Sequence, residues 1–259
     1  MLTEEEIRRI ARKKGMSVGL VEKDYVIEWL LKGIYESKLK EDLTFKGGTA
    51  IKKAYFQKFW RYSHDLDFTS FSDPKALRER LEKVFRKIKE MAMIELEFKS
   101  FHVTEGSVIA SVQFLGPLRF KNRIRIDITS DEVILTEPLL KTLKSDYPDV
   151  ESYEVKVYSL EEILAEKIRS ILQRGKSRDY YDVWMLLKVG KFDFCKVREL
   201  VAKKCRFKGI RFGIELVFEE KKLEEAKRYW EIGLKDLVKN LPDFNSVIKE
   251  LREMLKPLA

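Results

Sequence analysis

Sulfur and imidazole ligands are scarce in this chain of 259 residues, which holds two cysteines, Cys195 and Cys205, and two histidines, His64 and His102. Neither cysteine stands in a Cys-x-x-Cys pair or beside a histidine, so zinc-ligand spacing is missing and both thiols are expected reduced and partly buried. No apolar run approaches the roughly 18 residues that span a bilayer. The opening Met1-Leu2-Thr3-Glu4-Glu5-Glu6 is acidic where a secretory leader is basic. A cytoplasmic protein without a membrane partner is the expectation. No internal repeat, low-complexity tract or Gly/Ser-rich linker is present, which excludes a solenoid and freely moving domains.

Positive charge is abundant. The formal net charge is +9 and the isoelectric point is near 9.3. Such a balance favours a polyanionic partner if the excess is gathered on one face. The length suffices for one large domain or two small ones, each with its own core. Thr3-x-x-Glu6 reads as a capping box opening a short helix to about Lys14, a second helix follows Ser17, and a third runs from Pro74 to about Met91. Three strands are expected at Ile94 to Val103, Ser107 to Phe114 and Asn122 to Thr129, with Glu105-Gly106 as a hairpin turn. From Ser159, opening a second capping box with Glu162, the pattern is helical, with helices near 160–173, 178–189, 193–204, 221–240 and 244–255. The expected fold class is α+β: a mixed sheet with flanking helices in 1–155, then a helical bundle in 156–259.

Two neighbouring motifs carry chemistry. In Phe45-Lys46-Gly47-Gly48-Thr49-Ala50, a strand from Leu43 to Lys46 runs into two glycines and a helix from Thr49 to about Gln57. Glycines there let backbone N–H groups approach a phosphate, and the helix start adds positive potential. In Ser63-His64-Asp65-Leu66-Asp67-Phe68 the period-two alternation puts Asp65 and Asp67 on one strand face and Leu66 and Phe68 on the other. That pair of carboxylates suits Mg²⁺. Ser63 falls on the carboxylate face of a regular strand, whereas His64 points away, so a packing role is expected for His64 and His102.

Farther along, Ile124, Ile126 and Ile128 take the buried face of a strand and leave Asp127 with Arg123 and Arg125 on the other. Asp127 reads either as a third carboxylate or as the salt-bridge partner of Arg125. Lys167 lies inside the apolar stripe of Leu160, Ile163 and Ile171 on its helix. Its ammonium either snorkels outward, reaches nucleotide phosphates, or clamps an acid on the next helix. That helix places at least one of Asp179 and Asp182 toward the interior, where an acid needs a partner; Lys167 and Arg178 are available. Arg61, Lys52 and Lys53 are candidate contacts for triphosphate or RNA, although a solvated helix face accounts for Lys52 and Lys53 equally well.

These residues carry a resemblance. Lys46-Gly47-Gly48-Thr49-Ala50, Arg61-Tyr62-Ser63-His64-Asp65-Leu66-Asp67-Phe68, Leu164-Ala165-Glu166-Lys167-Ile168 and Arg178-Asp179-Tyr180-Tyr181-Asp182 together resemble the AbiEii family of nucleotidyltransferase toxins. That family includes the MenT toxins and belongs to the DNA polymerase beta-like nucleotidyltransferases. The likeness runs over about residues 43 to 188. It implies transfer of a nucleoside monophosphate from an NTP to a hydroxyl, with the tRNA 3′ end as acceptor and a cognate antitoxin as partner. It implies Mg²⁺ or Mn²⁺ on Asp65, Asp67 and Asp127, nucleotide contacts from Lys46, Gly47, Gly48, Thr49, Ser63 and Lys167, and a catalytic constellation drawing on Lys167 and on Asp179 or Asp182. Two alternatives stand beside this one: a transferase with a small-molecule acceptor, and a non-catalytic nucleotide- or RNA-binding protein of the same fold.

Overall fold

A computed structural model describes residues 1–258. The chain divides into two compact units, one of residues 1–58, 63–131 and 138–157, the other of 59–62, 132–137 and 158 onward.

The first unit is built on a seven-stranded mixed sheet. In chain order it holds α1 (Glu4–Lys14), α2 (Val18–Tyr35), α3 (Leu39–Asp42), β1 (Thr44–Lys46), α4 (Gly47–Ala50) with a π-helical turn over Ile51–Tyr55, β2 (Asp65–Thr69), α5 (Pro74–Ala92), β3 (Glu95–Val103), β4 (Ser107–Leu115), β5 (Lys121–Thr129), β6 (Leu139–Leu143) and β7 (Tyr153–Val157). The strand order is β3-β4-β5-β2-β1-β7-β6. β2 runs parallel to β5 and β1 parallel to β7, and all other pairs are antiparallel. Period-two alternation drives one face into the core: Phe45, Leu66, Phe68, Ala110, Val112, Ile124, Ile126 and Ile128 are buried. Phe45 and Phe68 stand opposite one another in register, ring centroids 5.4 Å apart.

The capping box at Thr3 forms in full, its hydroxyl accepting from the Glu6 N–H and the Glu6 carboxylate accepting from the Thr3 N–H. α2 is buried on nearly every side and still carries Asp24 and Glu28 one turn apart. Both are met by Lys53, whose Nζ lies 2.6 Å from Asp24 and 2.8 Å from Glu28. Burial would depress the Lys53 pKa, but the two carboxylates raise it above the ordinary lysine range. Lys52 is buried too and donates to the Gln57 carbonyl. The solvated helix face, one of the two readings of this pair, is therefore overturned. Two buried lysines tie the segment after Gly47-Gly48 into its own unit.

The second unit is helical: α6 (Leu160–Arg174), α7 (Ser177–Val189), α8 (Phe194–Phe207), α9 (Glu220–Arg228), α10 (Trp230–Leu234) and α11 (Phe244–Met254). The single helix expected over 221–240 is broken at Tyr229, beside Trp230, whose indole N–H donates to the Pro242 carbonyl. Only half of the Ser159 capping box forms. Ser159 accepts from the Glu162 N–H, but the Glu162 carboxylate turns to the N–H groups of Leu135 and Thr136 and to Lys204 at 2.6 Å. No helix among the described residues is long and apolar enough to cross a membrane.

Candidate active site

The sheet brings three carboxylates onto one face of the first unit. Asp65 and Asp67 share the side of β2 opposite Leu66 and Phe68. Parallel pairing with β5 sets Asp67 beside Asp127 and Asp65 beside Arg125. On the other flank antiparallel pairing puts Lys46 opposite Asp67. A single row across the sheet thus reads Lys46, Asp67, Asp127. The three aspartates are half-buried, and Lys46 is buried.

Gly47 explains why the motif needs glycine. Its φ is +76°, in the left-handed region, and a Cβ built there would meet the Asp67 side chain, 2.8 Å from Cγ. The backbone passes directly beneath the carboxylate. Gly47→Ala is expected to cost about 1–3 kcal/mol, from left-handed strain and contact with Asp67, and to displace that carboxylate. Thermal unfolding and Mg²⁺ titration of the variant check this; wild-type values in both would remove the close approach from the argument.

Thr49 is fully buried, and its hydroxyl donates to the Asp65 carbonyl at 2.5 Å, fastening α4 to β2. Its side chain is spent on the scaffold, leaving the backbone N–H as the group able to meet a phosphate. Ser63 lies just ahead of β2 rather than inside it and is buried. His102 lies on the edge strand β3 and is exposed, contrary to a packing role.

Asp127 keeps its place in the row, but both of its oxygens lie 2.9 Å from Arg125 Nε. The hydrogen bond to Asp127 holds the Arg125 pKa above its usual value, with added attraction from Asp65 and Asp67. No three His, Cys, Asp or Glu side chains among the described residues converge to hold a metal ion. The pair Asp65 and Asp67 nevertheless fits Mg²⁺, a hard cation that takes one or two carboxylates together with substrate phosphates and water. A further cation borders this face: Lys23 on α2 is half-buried, and burial pushes its ammonium pKa down against the opposing pull of Asp65. Sequence reading passed over Lys23 because it looks like an ordinary helix-surface lysine.

The second unit gathers the helical candidates. Lys167 Nζ lies 2.9 Å from both Asp179 and Asp182. Arg61 grips Asp182 with two hydrogen bonds of 2.6 and 2.7 Å, and Arg174 reaches Asp179 at 3.2 Å. Burial would raise the pKa of Asp182, but Arg61 and Lys167 bring it below the ordinary carboxylate value; Lys167 and Arg174 do the same for Asp179. For Lys167 burial pulls down and the two aspartates pull up, leaving it raised. Both aspartates face inward, where the sequence required only one. Arg61 is buried on Asp182 and is not a free contact for triphosphate or RNA, and Arg61 and Arg174 are further partners of the two aspartates. The hint was available, since Arg61 opens the block that ends in Asp65-Leu66-Asp67.

No curated protein matches the sequence. Among solved structures, the fold resembles MenT4, a nucleotidyltransferase toxin from Mycobacterium tuberculosis H37Rv, with a TM-score of 0.75 over 100% of this chain and 90% of that one, at 18% identity. A family model described as nucleotidyl transferase AbiEii toxin, type IV toxin–antitoxin system, matches residues 29–256. That span takes in the glycine turn, the row of carboxylates and the Lys167 cluster alike, and the chain belongs to the AbiEii family of nucleotidyltransferase toxins.

Proposed function

We propose that the protein transfers a nucleoside monophosphate from an NTP to a hydroxyl of an RNA acceptor, the tRNA 3′ end, in the cytoplasm and beside a cognate antitoxin. The observation that carries this reading is the placement of Asp65, Asp67 and Asp127 on one sheet face, with the Gly47 backbone beneath Asp67. The acceptor oxygen forms a bond to the α-phosphorus, the α–β phosphoanhydride bond breaks, and pyrophosphate leaves with the bond's electron pair. The hydroxyl proton passes to the Asp127 carboxylate, once Arg125 yields it. Lys46 and the N–H groups of Gly47, Gly48 and Thr49 hold the phosphates, with Ser63 beside them. Asp65 and Asp67 would hold Mg²⁺ or Mn²⁺, which would supply neutralisation of the triphosphate and acidification of the acceptor hydroxyl. Lys167, with Asp179 and Asp182 orienting it, offsets charge that develops on the phosphates.

Incubation with Mg²⁺, each labelled NTP in turn and total tRNA tests the reading: label becomes RNA-linked with one preferred NTP. Label that passes only to a small cationic acceptor would replace RNA by a small molecule. Asp127→Asn keeps the shape and removes the proton acceptor, so turnover falls about 10²-fold or more while NTP affinity stays. Unchanged turnover would return Asp127 to a plain salt bridge with Arg125.

A further inference from the structure

β5 carries more positive charge than the fold needs. Lys121, Arg123 and Arg125 alternate along it on the face that Asp127 shares, at about 6.7 Å intervals for a strand rising about 3.3–3.4 Å per residue. All three are exposed. Their in-register neighbours on β4 are Leu115, Gln113 and Ser111, none of them acidic. The acids across β4 on that side are Glu95 and Glu97, a further strand away; Glu97 is engaged by Lys99 at 2.7 Å and Gln113 at 2.8 Å and is also attracted to Lys121. On the other flank β2 begins only at Asp65, opposite Arg125, so Arg123 and Lys121 have no strand partner there. Like charges placed in line with no acid between them repel, a cost that the apolar core beneath does not require. Phe120, 71% exposed, immediately precedes the first of these cations in the chain.

An exposed aromatic followed by evenly spaced cations is the arrangement on which a single nucleic-acid strand stacks a base and lays its phosphates. We propose that Phe120, Lys121, Arg123 and Arg125 form the track for a single-stranded RNA acceptor, running along β5 so that its terminal hydroxyl arrives at Asp127. The direction follows from the register. Arg125 is the last cation before the carboxylates, and a phosphate arriving on it competes with Asp127 for the same guanidinium. Binding of the strand therefore releases the Asp127 carboxylate beside the acceptor hydroxyl. The proposal rests on the transferase reading for its direction, but not for the existence of the track.

The test is binding of a fluorescent single-stranded RNA of about twelve nucleotides to the full chain without NTP, across a salt series. Lys121→Glu with Arg123→Glu is expected to weaken binding at least tenfold. The slope of log affinity against log salt should fall by about 1.4, two phosphate contacts at about 0.7 each. Phe120→Ala should weaken binding at least about fivefold with the slope unchanged, since stacking releases no counterions. Lys83→Glu with Lys87→Glu on α5 makes the same change in net charge at exposed positions and is expected to bind as wild type. Lys121→Gln with Arg123→Gln stands in if the reversal fails to fold. No RNA binding by the wild type, wild-type binding in the β5 variants, or equal losses in the α5 control would each overturn the track. Transfer to RNA that persists in the β5 variants at the wild-type KM would also overturn it while leaving the transferase reading intact. Lost RNA binding in a protein that transfers nothing would sustain the track and sink the transferase reading.

Discussion

Asp65→Ala and Asp67→Ala are each expected to reduce NTP-dependent transfer by on the order of 10³-fold or more, since several kcal/mol of charge stabilisation at a metal site convert at about 1.4 kcal/mol per factor of ten. Stability should not fall. Both side chains are half-buried on the polar face, while the core contacts of β2 are made by Leu66 and Phe68. Repulsion among the carboxylates is offset by their attraction to Arg125 and Lys23, so the melting temperature is expected to change little. Transfer rates and thermal unfolding on the same samples check the pair of statements. Full activity in either variant removes the metal assignment, and a large drop in melting temperature would make the aspartates structural.

Lys167→Met is expected to damage stability and chemistry together. Met fits the apolar stripe, but the substitution strips a cation from two buried carboxylates that it meets at 2.9 Å. Arg61 still serves Asp182 and Arg174 still serves Asp179, so the loss should sit near the lower end of the roughly 3–5 kcal/mol for breaking a buried pair, about 10 °C in melting temperature. Transfer measured where the variant remains folded is expected to fall by orders of magnitude; a near-normal rate there would leave Lys167 a structural clamp.

The pH dependence of this cluster has a definite sign. Asp179 and Asp182 are held below their ordinary values, so their contribution is present above the unfolded carboxylate pKa near 4 and is lost as pH falls through the folded values. Lys167 is raised, so its contribution is present below the unfolded lysine pKa near 10.4 and is lost as pH rises through the folded value. Lys167→Met should remove this lysine's share of the alkaline loss, leaving that of Lys53, and reduce the acid one, as pH-dependent unfolding would record.

Much of the site was legible because strand alternation is local. Asp65-Leu66-Asp67-Phe68 and Ile124-Arg125-Ile126-Asp127 assign faces without any knowledge of the fold, and Gly47-Gly48 mark the turn that opens α4. β7 carried the same signal, since Tyr153, Val155 and Val157 are buried, but its five residues sat where helices were about to begin. β6 offered no signal: Leu139 and Leu140 are both exposed, and the strand is defined by pairing with β7 rather than by its own pattern. Lys52 and Lys53 looked like a wet helix face because their partners, Asp24 and Glu28, belong to a helix far earlier in the chain.

The sequence by itself determined the α+β class, the face on which each aspartate stands, the family, and the presence of buried charge on α6 and α7. Tertiary structure decided which charges meet. That β2 lies parallel beside β5, bringing Asp127 to Asp67, and that Arg61 joins Lys167 on Asp182 are results of chain segments far apart in sequence being brought together. Side-chain direction follows from the backbone's local period, whereas an ion pair depends on distance and desolvation, and those exist only after the core has closed.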